Sequence, residues 1–153
     1  GDGWRVELYH QDSFPRLREA LAEAGFSLPT ADEWAYLCGG GCRTLFPWGD
    51  GLKSDMHLLH FGALEDKDKP YDMEEPNFFG LSIAYDPYMR EVVEADTLTT
   101  CGGDGGCNIC GGMGPLVGFL PCSPHRKPEV QEDNMLNIDY DFCRPIIRVD
   151  DCR

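Results

Sequence analysis

The sequence predicts an α+β domain with a large share of irregular structure. Two capped helical patterns come early, over residues 13–26 and 30–41, and short strand patterns come mainly later in the chain. The 18 glycines and 11 prolines indicate many turns. Because 153 residues are typical of one domain with one core, we expect residues 1–153 to form a single domain.

The first helix is predicted to begin after Ser13 and to end at Gly25. Ser13 is a favourable cap, and Pro15 fits the first turn, where its missing N–H costs nothing. Glycine is the residue that most often follows a helix end. Apolar residues recur at helical spacing and predict one buried face: Leu17, Leu21 and Ala24.

The second helix is predicted by the segment TADEWAYLCGGG. Thr30 and Glu33 form a T-x-x-E capping box, in which each side chain satisfies a backbone N–H of the first turn. The three glycines at 39–41 end the helix. Three residues then share its apolar face: Trp34, Leu37 and Cys38.

Four short segments are predicted as strands, which we expect to pair antiparallel. Residues 4–9 alternate apolar and polar side chains and are expected to pair with a late strand. Residues 81–84 and 91–95 are brief apolar segments, and residues 146–149 predict the last strand. Loops are expected to fill the rest of the chain.

The charge balance excludes several classes of partner. The 27 acidic residues outnumber the 13 basic ones, which leaves a net charge of -14, so nucleic acid and anionic membrane surfaces are repelled. Solubility alone explains such acidity, and a preference for cations or basic peptides is the second interpretation. With neither a transmembrane run nor signal-peptide features at the start, we expect a soluble chain and leave its location open.

Eight cysteines raise three alternatives for the segment CGGDGGCNIC, which spans residues 101–110. An oxidising compartment favours disulfides, whereas a reducing one favours metal-binding or catalytic thiolates. A zinc site needs a second ligand pair, which Cys101, Cys122 or the histidines would have to supply because no second C-x-x-C exists, so zinc is less favoured. A thioredoxin-like pair should open a helix, but glycines and a proline follow Cys110, so this alternative is the least favoured.

Several blocks resemble the formylglycine-generating enzyme or sulfatase-modifying factor family. The segment LPTADEWAYLCGGGCRTLFPWGD is similar to that family's L-P-T-E-A-E-W-E-Y block followed by R-G-G and F-P-W-G. Residues 76–81, PNFFGL, and the later CGGD and FCRPIIRV follow in the family's order. The resemblance covers residues 28–149 and implies a C-type-lectin-like fold in a shortened, divergent member.

This resemblance implies a copper-dependent oxidase that acts on a cysteine thiol of a peptide or protein substrate. The family binds Cu(I) through two thiolates with four residues between them, and soft thiolates suit that ion. Cys107 lies at the first expected position, but Gly112 occupies the second, and Cys110 is the nearest candidate. We therefore predict Cys107 and Cys110 as metal and catalytic residues, with Cys101 as a further candidate ligand.

The resemblance also implies a disulfide between Cys38 and Cys122 and a structural Ca²⁺ site. The acidic residues 65–75 offer oxygen ligands, but they match no EF-hand spacing, which favours a solvated loop. Asp104 and Glu91 are candidate pocket acids without an assigned role. The central Asn and Trp of the family's G-N-V-W-E-W motif are absent, so a non-catalytic module that binds a ligand or protein is the alternative function.

The pair His57 and His60 in DMHLLH has a spacing that two metal ligands could use. Two ligands do not make a site, and no third donor is evident nearby in the sequence. Packing or a hydrogen-bonded surface pair is therefore the favoured interpretation.

Overall fold

A computed structural model describes residues 12–53, 55–56, 58 and 71–149. The strand predicted over residues 4–9, the pair His57 and His60, and the first part of the acidic segment, residues 65–70, lie outside the described residues. None of the helices in the described residues has the length and apolarity that crossing a bilayer requires.

The described chain is a mixed α+β structure. It contains the α-helices α1 (Phe14–Glu23), α2 (Ala31–Gly39), α3 (Cys107–Cys110) and α4 (Pro115–Phe119), and the 3₁₀ helices Asp72–Glu74 and Leu120–Cys122. Its strands are β1 (Arg90–Val93), β2 (Thr99–Cys101), β3 (Glu129–Val130) and β4 (Asp141–Cys143). They form one sheet in the order β3-β2-β1-β4.

Both early helices form where the sequence predicts them. The Thr30 hydroxyl accepts from the Glu33 amide at 3.2 Å, and the Glu33 carboxylate accepts from the Thr30 amide at 2.8 Å, so the capping box is complete. Ser13 stands at the cap of α1 but makes no side-chain capping bond. After α1, Gly25 adopts a φ of +80°, a conformation that glycine tolerates best.

The sheet is mixed, so the prediction of antiparallel strands is correct for two of its three pairings and wrong for the third. Strand β1 pairs antiparallel with β2 and parallel with β4, with Glu91 opposite Cys101 on one side and Phe142 on the other. A parallel neighbour needs a long connection. The chain supplies it between β1 and β4, because β2, α3, α4 and β3 all lie in that interval.

Two of the predicted strands are absent from the described chain. Residues 81–84 pair with no strand; the Leu81 amide donates to the Asn77 side chain at 3.1 Å, and the chain bends at Ala84, which has a φ of +51°. In the predicted last strand, only Ile146 makes a bridge, to Ser27. Pro145 precedes it and lacks an N–H for a ladder, and the strand forms earlier, as β4.

Strand β1 lies between two apolar clusters. Val92 packs with Phe14 of α1, whereas Val93 packs with Trp34 of α2. This follows from the alternation of side chains along a strand, which directs successive residues to opposite faces. Trp48 stacks on Phe46 at 4.6 Å against the α2 cluster, so Trp34 and Trp48 are both packing residues, as buried aromatics usually are.

A buried ion pair and its hydrogen bonds connect α2 to the sheet. The Glu91 carboxylate accepts from Trp34 Nε1 at 2.9 Å and from Arg144 through two bonds, at 3.0 and 3.1 Å. Arg144 also donates to the Ser82 carbonyl at 3.0 Å. The Glu91 side chain is only 9% exposed, and that of Arg144 is 29% exposed. A buried charge of this kind is stable only while its partners remain.

We therefore predict that Arg144→Met lowers the free energy of unfolding by about 3 kcal/mol, because it leaves the Glu91 carboxylate buried without its cation. Urea unfolding followed by circular dichroism measures the change. Arg126→Met is the matched control, since Arg126 pairs with Glu129 at the surface, where such a pair contributes about 1 kcal/mol or less. Equal effects of the two substitutions would contradict the importance of the buried network.

Candidate functional site

A glycine loop between β2 and α3 shapes the candidate site. The amides of Asp104 and Gly106 both donate to the Pro87 carbonyl, at 3.0 and 3.2 Å. A Cβ at Gly103 would collide with the Met89 carbonyl, and one at Gly106 would collide with the Tyr88 ring. The loop can therefore lie directly against residues 87–89 only because glycines occupy these positions.

Cys107 and Cys110 begin and end α3, and both are exposed. The helix is a single turn capped by Gly111, so the glycines after Cys110 do not prevent this one turn, but the pair does not begin a longer helix. Ile109 packs so closely on Gly118 of α4 that a Cβ there would clash with it. Because residues three apart lie on the same side of a helix, the two thiols share one surface.

Tyr88 contacts one of the two thiols. Its hydroxyl lies 2.9 Å from Cys110 Sγ, and this bond is the main cause that raises the Tyr88 pKa to about 12. Either atom can donate in this bond, which joins the segment before β1 to the last residue of α3. The Tyr140 ring stacks beside Tyr88 with centroids 6.4 Å apart.

Asp104 lies buried at the base of the loop. Its Oδ2 accepts from the Asn108 amide at 3.2 Å, which satisfies one of the free donors in the first turn of α3. Its Oδ1 is buried and has no hydrogen-bond partner among the described residues. The predicted pocket acid therefore helps to fix the helix that carries both thiols.

The second predicted pocket acid, Glu91, belongs to the buried network with Trp34 and Arg144. Its carboxylate accepts three hydrogen bonds from these two side chains. Glu91 thus lies in the core, where its contacts are structural.

Three further cysteines are buried in the core. Burial, followed by the charge of Glu91, raises the Cys101 pKa to about 12, and burial also raises the pKa of Cys38 and of Cys122. Cys38 and Cys122 are neighbours, because Cys38 Sγ lies 3.9 Å from the Cys122 carbonyl oxygen. Both are free thiols here, so the bridge predicted between them stays a prediction.

The described residues contain no group of three or more His, Cys, Asp or Glu side chains that could hold a metal ion. Cys101 is buried on β2, whereas Cys107 and Cys110 are exposed, so these three thiols form no common ligand set. Within this part of the chain, a tetrahedral zinc site and a carboxylate Ca²⁺ site therefore have no assembled ligands. Cys107 and Cys110 therefore remain as a pair of exposed thiols without a third ligand among the described residues.

The chain matches no protein family, no curated protein and no solved structure.

Sequence reasoning identified the two thiols but missed Tyr88. A weak signal exists in the segment Asp86-Pro87-Tyr88, because an aspartate followed by proline is typical of a turn. That turn forms, with Asp86 Oδ1 accepting the Tyr88 amide at 2.9 Å. The turn alone does not indicate that the tyrosine reaches a cysteine 22 residues later in the chain.

We predict that Cys110→Ala lowers the Tyr88 pKa from about 12 towards its ordinary value near 10, because it removes the bond that causes the shift. Since the raised pKa belongs to the folded state, this contribution to stability is complete below about pH 10 and is lost as the pH rises through about 12. Absorbance at 295 nm against pH measures the ionisation. Cys107→Ala is the matched control, and an equal shift in both variants would contradict the contact.

We also predict two classes of thiol in the reduced, native protein. Cys107 and Cys110 should react with a thiol reagent at pH 8 at least about a hundredfold faster than Cys101, which is buried and has a raised pKa. Peptide mapping by mass spectrometry identifies the modified residues. Comparable rates for Cys101 would contradict its buried position.

Peptide mapping also tests the predicted bridge. If a peptide map of the protein as isolated, made without reductant, contains the Cys38 and Cys122 peptides linked to each other, and a reductant releases them, the two are joined by a disulfide. Unlinked peptides in the map made without reductant would show that the bridge is absent.

Proposed function

We propose that the protein is a divergent member of the formylglycine-generating type, with a C-type-lectin-like fold, in which Cys107 and Cys110 bind Cu(I). The observation that carries the proposal is the pair of exposed thiols on the single turn α3. The order of the sequence blocks over residues 28–149 supports the family assignment. The mixed α+β architecture is compatible with it.

The donor set fits Cu(I) better than the other metals considered. Soft thiolates are the ligands that Cu(I) prefers, and two of them are enough for a linear site. Zinc would require further protein ligands, and the described residues provide no group of three. The fit to the family pattern is incomplete in one respect, because Cys110 replaces a ligand expected at the position of Gly112.

The residues around Cys107 and Cys110 would hold the two thiols in position for a ligand from outside the protein. The Tyr88 hydroxyl, 2.9 Å from Cys110 Sγ, would hold that sulfur in place at the end of α3. The Asp104 carboxylate and the packing of Ile109 on Gly118 hold α3 in place. Both cysteines are exposed residues, so a cysteine thiol of a peptide or protein substrate could approach them.

When bound to Cys107 and Cys110, Cu(I) would supply the redox chemistry for oxidation of that substrate cysteine, with O₂ as the oxidant. The protein residues would bind the ion, orient Cys110 through Tyr88 and leave the substrate side open. This arrangement supports an oxygen-dependent oxidoreductase.

A non-catalytic binding module is the second candidate function, and an exposed aromatic surface favours it. Tyr36 and Phe79 lie with ring centroids 5.1 Å apart, and Phe78 beside them is 84% exposed. The Asn77 amide bonds to the end of α2 at 2.7 Å and fixes the loop that carries both phenylalanines. Such surfaces commonly mark interaction sites. In this alternative, disulfides or a structural metal would stabilise the fold.

We predict that the reduced protein takes up one equivalent of Cu(I) in competition with a chromophoric Cu(I) chelator, and that Cys107→Ser and Cys110→Ser each abolish this uptake. One thiolate cannot form the two-coordinate site alone. Absorbance of the copper–chelator complex measures the competition under anaerobic conditions.

Cys42→Ser is the matched control, because Cys42 is also exposed but does not belong to α3. Its uptake should equal that of the unmodified protein. Absence of uptake, or unchanged uptake after Cys107→Ser, would reject the copper proposal and favour the binding module.

A further inference from the structure

An open groove of about 680 Å³ lies beside strand β3, away from the residues of the proposed copper site. Residues 129–133 and 135–139 line it, together with Arg90. Neither the dithiol pair nor Tyr88 belongs to its lining, so the groove needs an explanation of its own.

One wall of the groove is a free backbone edge among the described strands. β3 ends the strand order and pairs only with β2, with Val130 opposite Thr99. The Gln131 amide donates to the Leu98 carbonyl at 2.9 Å, so Gln131 faces β2. Because the two sides alternate along an antiparallel strand, Val130 directs its own N–H and C=O away from β2, towards a further strand position.

The side chains along this edge combine apolar and acidic groups. Val130, Met135 and Ile138 are 65%, 39% and 51% exposed, respectively. Four carboxylates line the groove with them: Glu132, Asp133, Asp139 and Glu129, the last of which also pairs with Arg126 at 3.2 Å. The one cation in the lining, Arg90, is already bound by Asp141 at 2.7 Å and by Gln131 at 2.9 Å. The groove is therefore apolar in part and negative overall.

We propose that this groove binds an extended, basic segment of a partner protein, which adds a strand alongside β3. Main-chain bonds to Val130 would supply affinity, and alternating lysine or arginine side chains would reach the four carboxylates. A second copy of this chain is disfavoured, because each copy carries a net charge of -14. The inference is independent of copper binding.

The test uses a blocked nonapeptide of alternating lysine and valine as the probe, with binding followed by fluorescence anisotropy of a labelled form. Val130→Pro removes the outward N–H, and an edge strand can accept proline at that place. We expect binding to weaken about tenfold or more, whereas the control Val130→Thr, which keeps the N–H, should change it by less than about threefold.

Charge reversal tests the acidic contribution. Glu132→Lys with Asp139→Lys should weaken binding about tenfold or more, because both carboxylates line the groove. Glu74→Lys with Glu75→Lys is the control, since it changes the net charge equally at two exposed positions outside the groove. Its effect should stay below about threefold.

Protection of the Val130 amide provides a measurement that needs no substitution. Its hydrogen exchange, followed by NMR in the unmodified protein, should slow about tenfold or more when the peptide saturates the groove. Unchanged exchange, equal losses in the two charge variants, or self-association that blocks the peptide would each overturn the proposal.

Discussion

The carboxylate of Glu91 is the point on which the architecture depends. It lies in β1, yet its three hydrogen bonds come from Trp34 on α2 and Arg144 beyond β4. A charge buried to this extent must keep its partners, because transfer from water is costly unless each oxygen is satisfied. One side chain therefore fixes the helix, the central strand and the final segment relative to one another.

The candidate site depends on that framework through the sheet. β1 pairs with β2, and the glycine loop leaves β2 to reach α3. The segment before β1 carries Pro87 and Tyr88, which the glycine loop contacts through its amides and through the bare backbone of Gly106. The segment that enters β1 and the loop that leaves β2 lie at the same end of this antiparallel pair. The two thiols and the tyrosine therefore meet there.

Local chemistry made the early helices predictable. The capping box at Thr30 and the glycines after α2 act through neighbours within a few residues, and such signals are visible in a sequence. The strands were harder to predict, because their positions depend on contacts between residues that are far apart in the sequence. Asn77 redirects the segment that follows it, and the parallel entry of β4 depends on a long connection. The periodicity of apolar residues in the sequence indicates neither of these effects.

The sequence predicts the two thiols as candidate site residues, but it does not predict the side chains that contact them. The spacing of Cys107 and Cys110 follows from the sequence, whereas the contact of Tyr88 with Cys110 joins segments 22 residues apart. Burial separates Cys101 from the pair although it lies only six residues before Cys107. Cysteines that are close in sequence therefore need not form one ligand set. Here Cys101 faces the core, whereas Cys107 and Cys110 are exposed.

A four-residue helix has a further consequence. One isolated turn cannot persist in water, because the cost of nucleation exceeds the gain from its few hydrogen bonds. The spacing of the two sulfurs on α3 is therefore maintained by distant packing, through Gly118, Asp104 and residues 87–89. Loss of those contacts would therefore release the turn and the spacing of its two sulfurs. A short reagent that bridges both thiols would report on the packing around α3.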